Sequence, residues 1–216
     1  MASNRSGIAD WCRDVVLDHD DIYEVGVRTQ NSIVLIVKDL PAPIVVAVMS
    51  SDRVDLESVP DEFHEPVTEF LINIPKDPFV SGELLATASK IPLAVGGLAD
   101  LYRAVNARNF RNYIPPEPRF LLRCLEQHTA VRAVIRANNR TYQVVKVSGD
   151  VVRVLALNDY DLTAEAVRSG IDKFGLPDFI LASNPNCRLS SATKQVARSS
   201  GTGVLKLNQL MGALNN

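Results

Sequence analysis

The sequence predicts an α/β protein made of two successive lobes, each a mixed sheet flanked by helices. Three observations lead there. Apolar runs of strand length alternate, in both halves, with stretches whose apolar residues recur three and four positions apart. Two segments follow the same course: residues 69–75 open a stretch that closes on 98–106, and residues 178–185 open one that closes on 207–215. Each reads as an acid, an apolar strand, a proline-marked turn, a helix, a short strand and a leucine-rich helix. Between the halves, Pro115, Pro116 and Pro118 mark residues 109–118 as a semi-rigid linker, because proline removes donors and stiffens the chain. The expected domains are an acidic lobe over 1–108 and a basic lobe over 119–216.

The elements follow in order. Ile8, Trp11, Cys12, Val15 and Val16 sit at helical spacing, which makes Trp11 a core residue of a first helix over 8–18. Strands are expected over 23–28 and 33–37, joined by a turn at Asn31 and Ser32, and over 44–49, which is apolar on both faces as a doubly covered strand should be. A helix-like or irregular stretch over 57–65 leads to a strand over 70–74. Ser81 caps a helix through Lys90, a short strand spans 91–95, Gly96 and Gly97 turn, and a helix spans 98–105. In the second half Phe120, Leu121, Cys124 and Leu125 mark a helix, and strands are expected over 131–136, 141–147 and 151–157. A helix over 162–174 ends at Gly175, a strand spans 179–182, and a helix from Ser190 and Ser191 stops near Gly201. A strand over 204–207 and a helix over 208–214 close the chain. Each half reads helix, three strands, helix, strand, helix, strand, helix.

Composition narrows the class. Of 216 residues 46% are apolar and 22% charged, enough for a sizeable core. No apolar run approaches the roughly 18 residues of a membrane span. Residues 1–7 lack the apolar core of a signal peptide, and three widely spaced cysteines fit reduced thiols, so a cytoplasmic protein without membrane contact is expected. The net charge of −2 hides an asymmetry. Residues 1–115 hold 10 Lys/Arg against 17 Asp/Glu, a net of −7, and residues 116–216 hold 13 against 8, a net of +5. Either the lobes attract one another, or the basic half meets a polyanion.

The element order resembles the restriction-endonuclease-like fold, and its Mrr-type branch above all, here in duplicate. The resemblance is clearest over residues 120–214. It rests most on Phe179-Ile180-Leu181-Ala182-Ser183, then Ala192-Thr193-Lys194-Gln195-Val196-Ala197, then Gly201 and Val204-Leu205-Lys206-Leu207-Asn208-Gln209-Leu210. Nucleases of that family place an acid at the start of a hairpin and an acid-x-lysine on the next strand, where they hold a divalent cation and the attacking water. The resemblance puts Asp150 at the first place and Ala156 and Asn158 at the second, with Met49 and Ser51 near the equivalent places of the first lobe. Alanine cannot ligate a cation and asparagine cannot replace an ammonium. The resemblance therefore implies two degenerate lobes without catalytic residues, metal or cofactor.

Other chemistry is sparse. His19, His64 and His128 are scattered, and no cysteine or histidine pair has zinc spacing. Asp18, His19, Asp20 and Asp21 read as a solvated helix end or a cation site. The loop 183–191 follows a strand and opens a helix, so Ser183, Asn184, Ser190 and Ser191 form either a weak anion site or a plain cap. Arg132, Arg136, Arg140, Lys146 and Arg153 fall on the second lobe's hairpin and central strand, and Arg188, Lys194 and Arg198 lie near the loop. Simple alternation puts Arg132 and Arg136 on one face and Val131 and Ile135 on the other. The expectation is a non-catalytic nucleic-acid-binding or complex-forming subunit, whose first lobe docks a protein partner or a second copy. Its rivals are an enzyme or sensor binding a small phosphorylated ligand at the second lobe's strand ends, and an oligomerisation module paired at its sheet edges.

Overall fold

The structure, a computed structural model, describes residues 7–215. The stretch read against a signal peptide lies, apart from Gly7, outside the described residues. The chain divides into two units, Met1–Pro115 and Pro116–Asn216. The first contains α1 (Ile8–Val16), β1 (Ile22–Thr29), β2 (Ser32–Val37), β3 (Ile44–Met49), β4 (Arg53–Val54), a 3-10 helix (Asp61–His64), β5 (Thr68–Asn73), β6 (Phe79–Val80), α2 (Gly82–Lys90), β7 (Ala94–Gly96) and α3 (Leu98–Ala107). Its five-stranded sheet has the order β1-β2-β3-β5-β7, antiparallel from β1 to β3 and parallel beyond, and β4 pairs with β6 alongside it. The apolar run of β3 explains the layering. Val46 and Val48 bury against Cys12 and Val16 of α1 and Leu101 and Val105 of α3, while Ala47 and Met49 bury against Phe63 and against Leu84 and Ala88 of α2.

The second unit contains α4 (Pro116–Glu126), β8 (Val131–Arg136), β9 (Thr141–Lys146), β10 (Val151–Leu157), β11 (Asp161–Leu162), α5 (Ala164–Phe174), β12 (Phe179–Ala182), β13 (Arg188–Leu189), α6 (Ser191–Ser199), β14 (Gly203–Leu205) and α7 (Leu207–Leu214). Its sheet runs β14-β12-β10-β9-β8, with β11 paired to β13. Val154 and Ala156 of β10 face Leu121 and Leu125 of α4 and Leu210 and Leu214 of α7. Leu155 and Leu157 face Val167 of α5 and Ala197 of α6. Topology and layering match those of the first unit, strand for strand.

Individual hydrogen bonds repeat as well. The Val48 amide donates to the Asn31 carbonyl at 2.7 Å and Ala156 to Arg140 at 2.9 Å; Ile74 donates to Met49 at 3.1 Å and Ser183 to Leu157 at 3.0 Å. Nδ1 of His19 accepts the Asp21 amide and Nδ1 of His128 the Ala130 amide, each at 3.2 Å. These equivalences set Val48 beside Ala156 and Ser50 beside Asn158, one residue earlier than the expected Met49 and Ser51.

Several elements differ from expectation. The crossover over 57–65 is one 3-10 turn, because Pro60 and Pro66 bracket it. The helix expected from Leu162 starts at Ala164: the Thr163 hydroxyl accepts the Ala166 amide at 3.1 Å, and Leu162 pairs with β13. The proline-rich segment 109–118 ends inside α4, whose first turn holds Pro116, Glu117 and Pro118. Trp11 is 42% exposed and not a core residue, since the buried stripe of α1 is Ala9, Cys12 and Val16. The largest change is in β8. Its register slips between Val131 and Ala133, so Val134 and Arg136 lie opposite Val144 and Tyr142, and Ile135 turns outward at 53% exposure. Arg132 and Arg136 therefore do not form the single stripe that alternation predicts. Among the described residues no helix is long and apolar enough to cross a membrane.

Candidate functional site

The chemistry of the second unit gathers at one end of its sheet. Glu117 precedes Leu121 and Leu125 by one and two helical turns, so it shares their inward stripe and reaches past the sheet's edge. Asn158 continues the alternation of Val154 and Ala156 and emerges on the same side. Arg140 is set by the hairpin turn, where the buried Asn138 side chain accepts the amides of Arg140 at 2.9 Å and Thr141 at 2.7 Å. Ser183 follows β12, adjacent to β10.

These four residues close on one another. Glu117 Oε2 accepts from Arg140 Nη1 and from Asn158 Nδ2, both at 2.9 Å, and Oε1 accepts the Ser183 hydroxyl. Every oxygen of the carboxylate is occupied by a protein donor. Beside it, Tyr142 is buried and its hydroxyl is pushed above its ordinary pKa, first by burial and then by Glu117. Burial, with Arg140's charge adding to it, pushes Arg136 below the ordinary arginine range. Arg136 Nε and Thr141 Oγ1 are buried without a hydrogen-bond partner.

The expected nuclease positions fall differently. Ala156 is 1% exposed and lies in the core. Asp150 stands at the opposite end of β10 from Asn158, in the turn where it accepts the Ser148 hydroxyl at 2.8 Å. The hairpin-start acid is thus misplaced: strand β9 begins at the Arg140 end and finishes at the Asp150 end. Among the described residues no three His, Cys, Asp or Glu side chains group to hold a metal.

The eight basic residues singled out in the sequence do not share one surface. Arg132 and Arg153 are exposed, while Arg136 and Lys146 turn into the protein and Arg140 is bound to Glu117. Arg188 lies over the Tyr160 ring at 5.1 Å and donates to its hydroxyl at 3.2 Å. The loop residues are also engaged. Ser183 donates to Glu117, the Asn184 side chain accepts the Asn186 amide at 2.9 Å, and Ser190 caps α6 by accepting the Thr193 amide at 3.1 Å. Ser191 is the first, exposed residue of α6.

Lys194 and Arg198, one turn apart on α6, do come together. With Lys206 and Gln209 they line a cavity of about 510 Å³, whose remaining walls are Cys187, Leu189, Gly203, Val204 and Leu205. Lys206 and Gln209 were not singled out in the sequence. The signal for them was a glutamine three residues after Lys206 that reaches back to its amide, at 2.9 Å, as a capping residue does. Glu117 was missed because its helix start looked like linker.

No family model, no curated protein and no solved structure matches this chain.

Proposed function

We propose that both units are restriction-endonuclease-like folds without nuclease chemistry, and that the second unit binds nucleic acid through its phosphate backbone as a non-catalytic subunit. The repeated element order and sheet topology support the fold assignment. One observation carries the function. The strand-end carboxylate of Glu117 is closed on Arg140, Asn158 and Ser183, while Arg132, Arg153, Lys194 and Arg198 face solvent. An acid holding three donors keeps only one of its about four lone-pair sites for a hard cation, with no second carboxylate grouped beside it among the described residues, and Asn158 supplies no positive charge for an attacking hydroxide. Exposed cations, by contrast, release counterions when they meet phosphates.

The test is fluorescence anisotropy of the full chain with labelled single- and double-stranded 20-mers, without divalent metal, between about 50 and 200 mM salt. On duplex, log K is expected to fall against log salt with a slope of roughly −3 to −4, as about four phosphate contacts require. Arg132→Ala with Arg153→Ala should flatten that slope by about two. No salt-dependent binding would overturn the reading, and so would magnesium- or manganese-dependent cleavage that Glu117→Gln removes.

A further inference from the structure

Three features of the cavity between α6, β14 and α7 point the same way. Its charged lining is Lys194, Arg198 and Lys206, with no carboxylate among the lining residues. None of the three cations has an ion pair among the described residues, whereas Arg140, Arg28 and Arg108 each sit within 4 Å of a carboxylate. The cavity also has an apolar wall, in which Val204 of β14, the edge strand of the sheet, and Leu189 of β13 lie on the α6 side, while Leu205 lines it from the opposite face of that strand. Gln209 Oε1 is held by the Lys206 amide, which fixes the side chain and leaves its Nε2 as a donor. Like charges gathered in one concave space repel one another, and an anion relieves that repulsion. The volume lies within the range of small-ligand sites.

We propose that this cavity binds a nucleoside monophosphate group. The phosphomonoester, with about two negative charges at neutral pH, is held by Lys194, Arg198 and Lys206, and the nucleoside lies against Leu189 and Val204. The group arrives either as a free nucleotide or as the phosphorylated end of a nucleic-acid strand. The second source rests on the nucleic-acid reading above; the first does not. The site is separate from the Glu117 cluster and shares no residue with it.

Calorimetric titration of the full chain with AMP, adenosine and inorganic phosphate tests the site. AMP is expected to bind, adenosine to bind at least tenfold more weakly, and phosphate alone to compete. Lys194→Ala with Arg198→Ala removes two exposed, unpaired side chains, so folding is preserved, and should weaken AMP by about tenfold per contact. Lys206→Ala should act in the same direction. A parallel anisotropy series uses one 12-mer bearing a phosphate at its 5′ end, its 3′ end or neither. Tighter binding of one phosphorylated end, lost in the double variant, identifies the strand end as the source. AMP binding without strand binding supports the cavity with a free nucleotide and overturns the nucleic-acid reading alone. Strand binding that ignores the terminal phosphate, with no AMP binding, overturns the cavity and leaves the nucleic-acid reading standing.

Discussion

Removing the Glu117 carboxylate should loosen the second unit, and the size of the effect follows from its three donors. Oε2 takes Arg140 and Asn158 at 2.9 Å each, and Oε1 takes Ser183. Hydrogen bonds to a charged group contribute about 1.5–3 kcal/mol each when shielded. Here the Glu117 and Arg140 side chains are 20% and 26% exposed, so solvent screening lowers the figure to about 1 kcal/mol apiece. Glu117→Ala should therefore cost about 3 kcal/mol, or roughly 12–24 °C in Tm for a unit of this size. Glu117→Gln retains one acceptor but sets an amide against donors, and should cost about 2 kcal/mol. Urea denaturation followed by far-UV circular dichroism measures both; the sole tryptophan, Trp11, lies in the first unit and does not report on the second. Losses below about 0.5 kcal/mol for both variants would refute the idea that these bonds fix the sheet end.

Two further outcomes concern stability alone. Gly201, at φ +81°, and Gly212, inside α7, both have open space where a methyl would go. Gly201→Ala should cost about 1 kcal/mol through left-handed strain and Gly212→Ala should add about 0.5–1 kcal/mol through helix propensity; shifts of the same sign in thermal melts would contradict the backbone argument. Burial pushes the Cys12 thiol from 9.0 up to about 12. The folded state therefore holds its proton more tightly, so the associated stability is intact below pH 9 and is lost as pH rises towards 12, by about 1.4 kcal/mol per pH unit. Denaturation curves between pH 8.5 and 11 should be flatter for Cys12→Ala than for the parent, and equal slopes would sink the assignment.

Much of this architecture was legible because the strands at the centre of each sheet are buried on both faces. β3 and the second half of β10 are continuous apolar runs that admit no other reading. Glycines with positive φ also behaved as sequence suggests: Gly175 ends α5, and Gly201 follows α6. What escaped notice has identifiable causes. Three prolines in four positions suggested a linker, although proline is well tolerated in a helix's first turn, and an acid there is favoured by the helix dipole. That hid Glu117, the residue around which the strand-end cluster is organised. The stripe of Arg132 and Arg136 failed because alternation assumes unbroken register, and one extra residue in β8 reverses everything on one side of it. Arg188 was legible as a cation but not as a partner of Tyr160, which depends on the β11–β13 pairing.

The irregular register of the outer strands has a consequence for the crowded solution in which a protein must persist. Among the described residues the two five-stranded sheets have four border strands, β1 and β7 in one and β8 and β14 in the other. Each long border strand is broken: β1 slips between Ile22 and Glu24 and again between Val27 and Thr29, and β8 slips between Val131 and Ala133. The other two borders are three residues long. A foreign strand finds only short straight rows of amides and carbonyls, four residues in β1 (24–27) and four in β8 (133–136), on which to continue the ladder. The repeated sheet thus doubles the number of border strands without adding a long unbroken one.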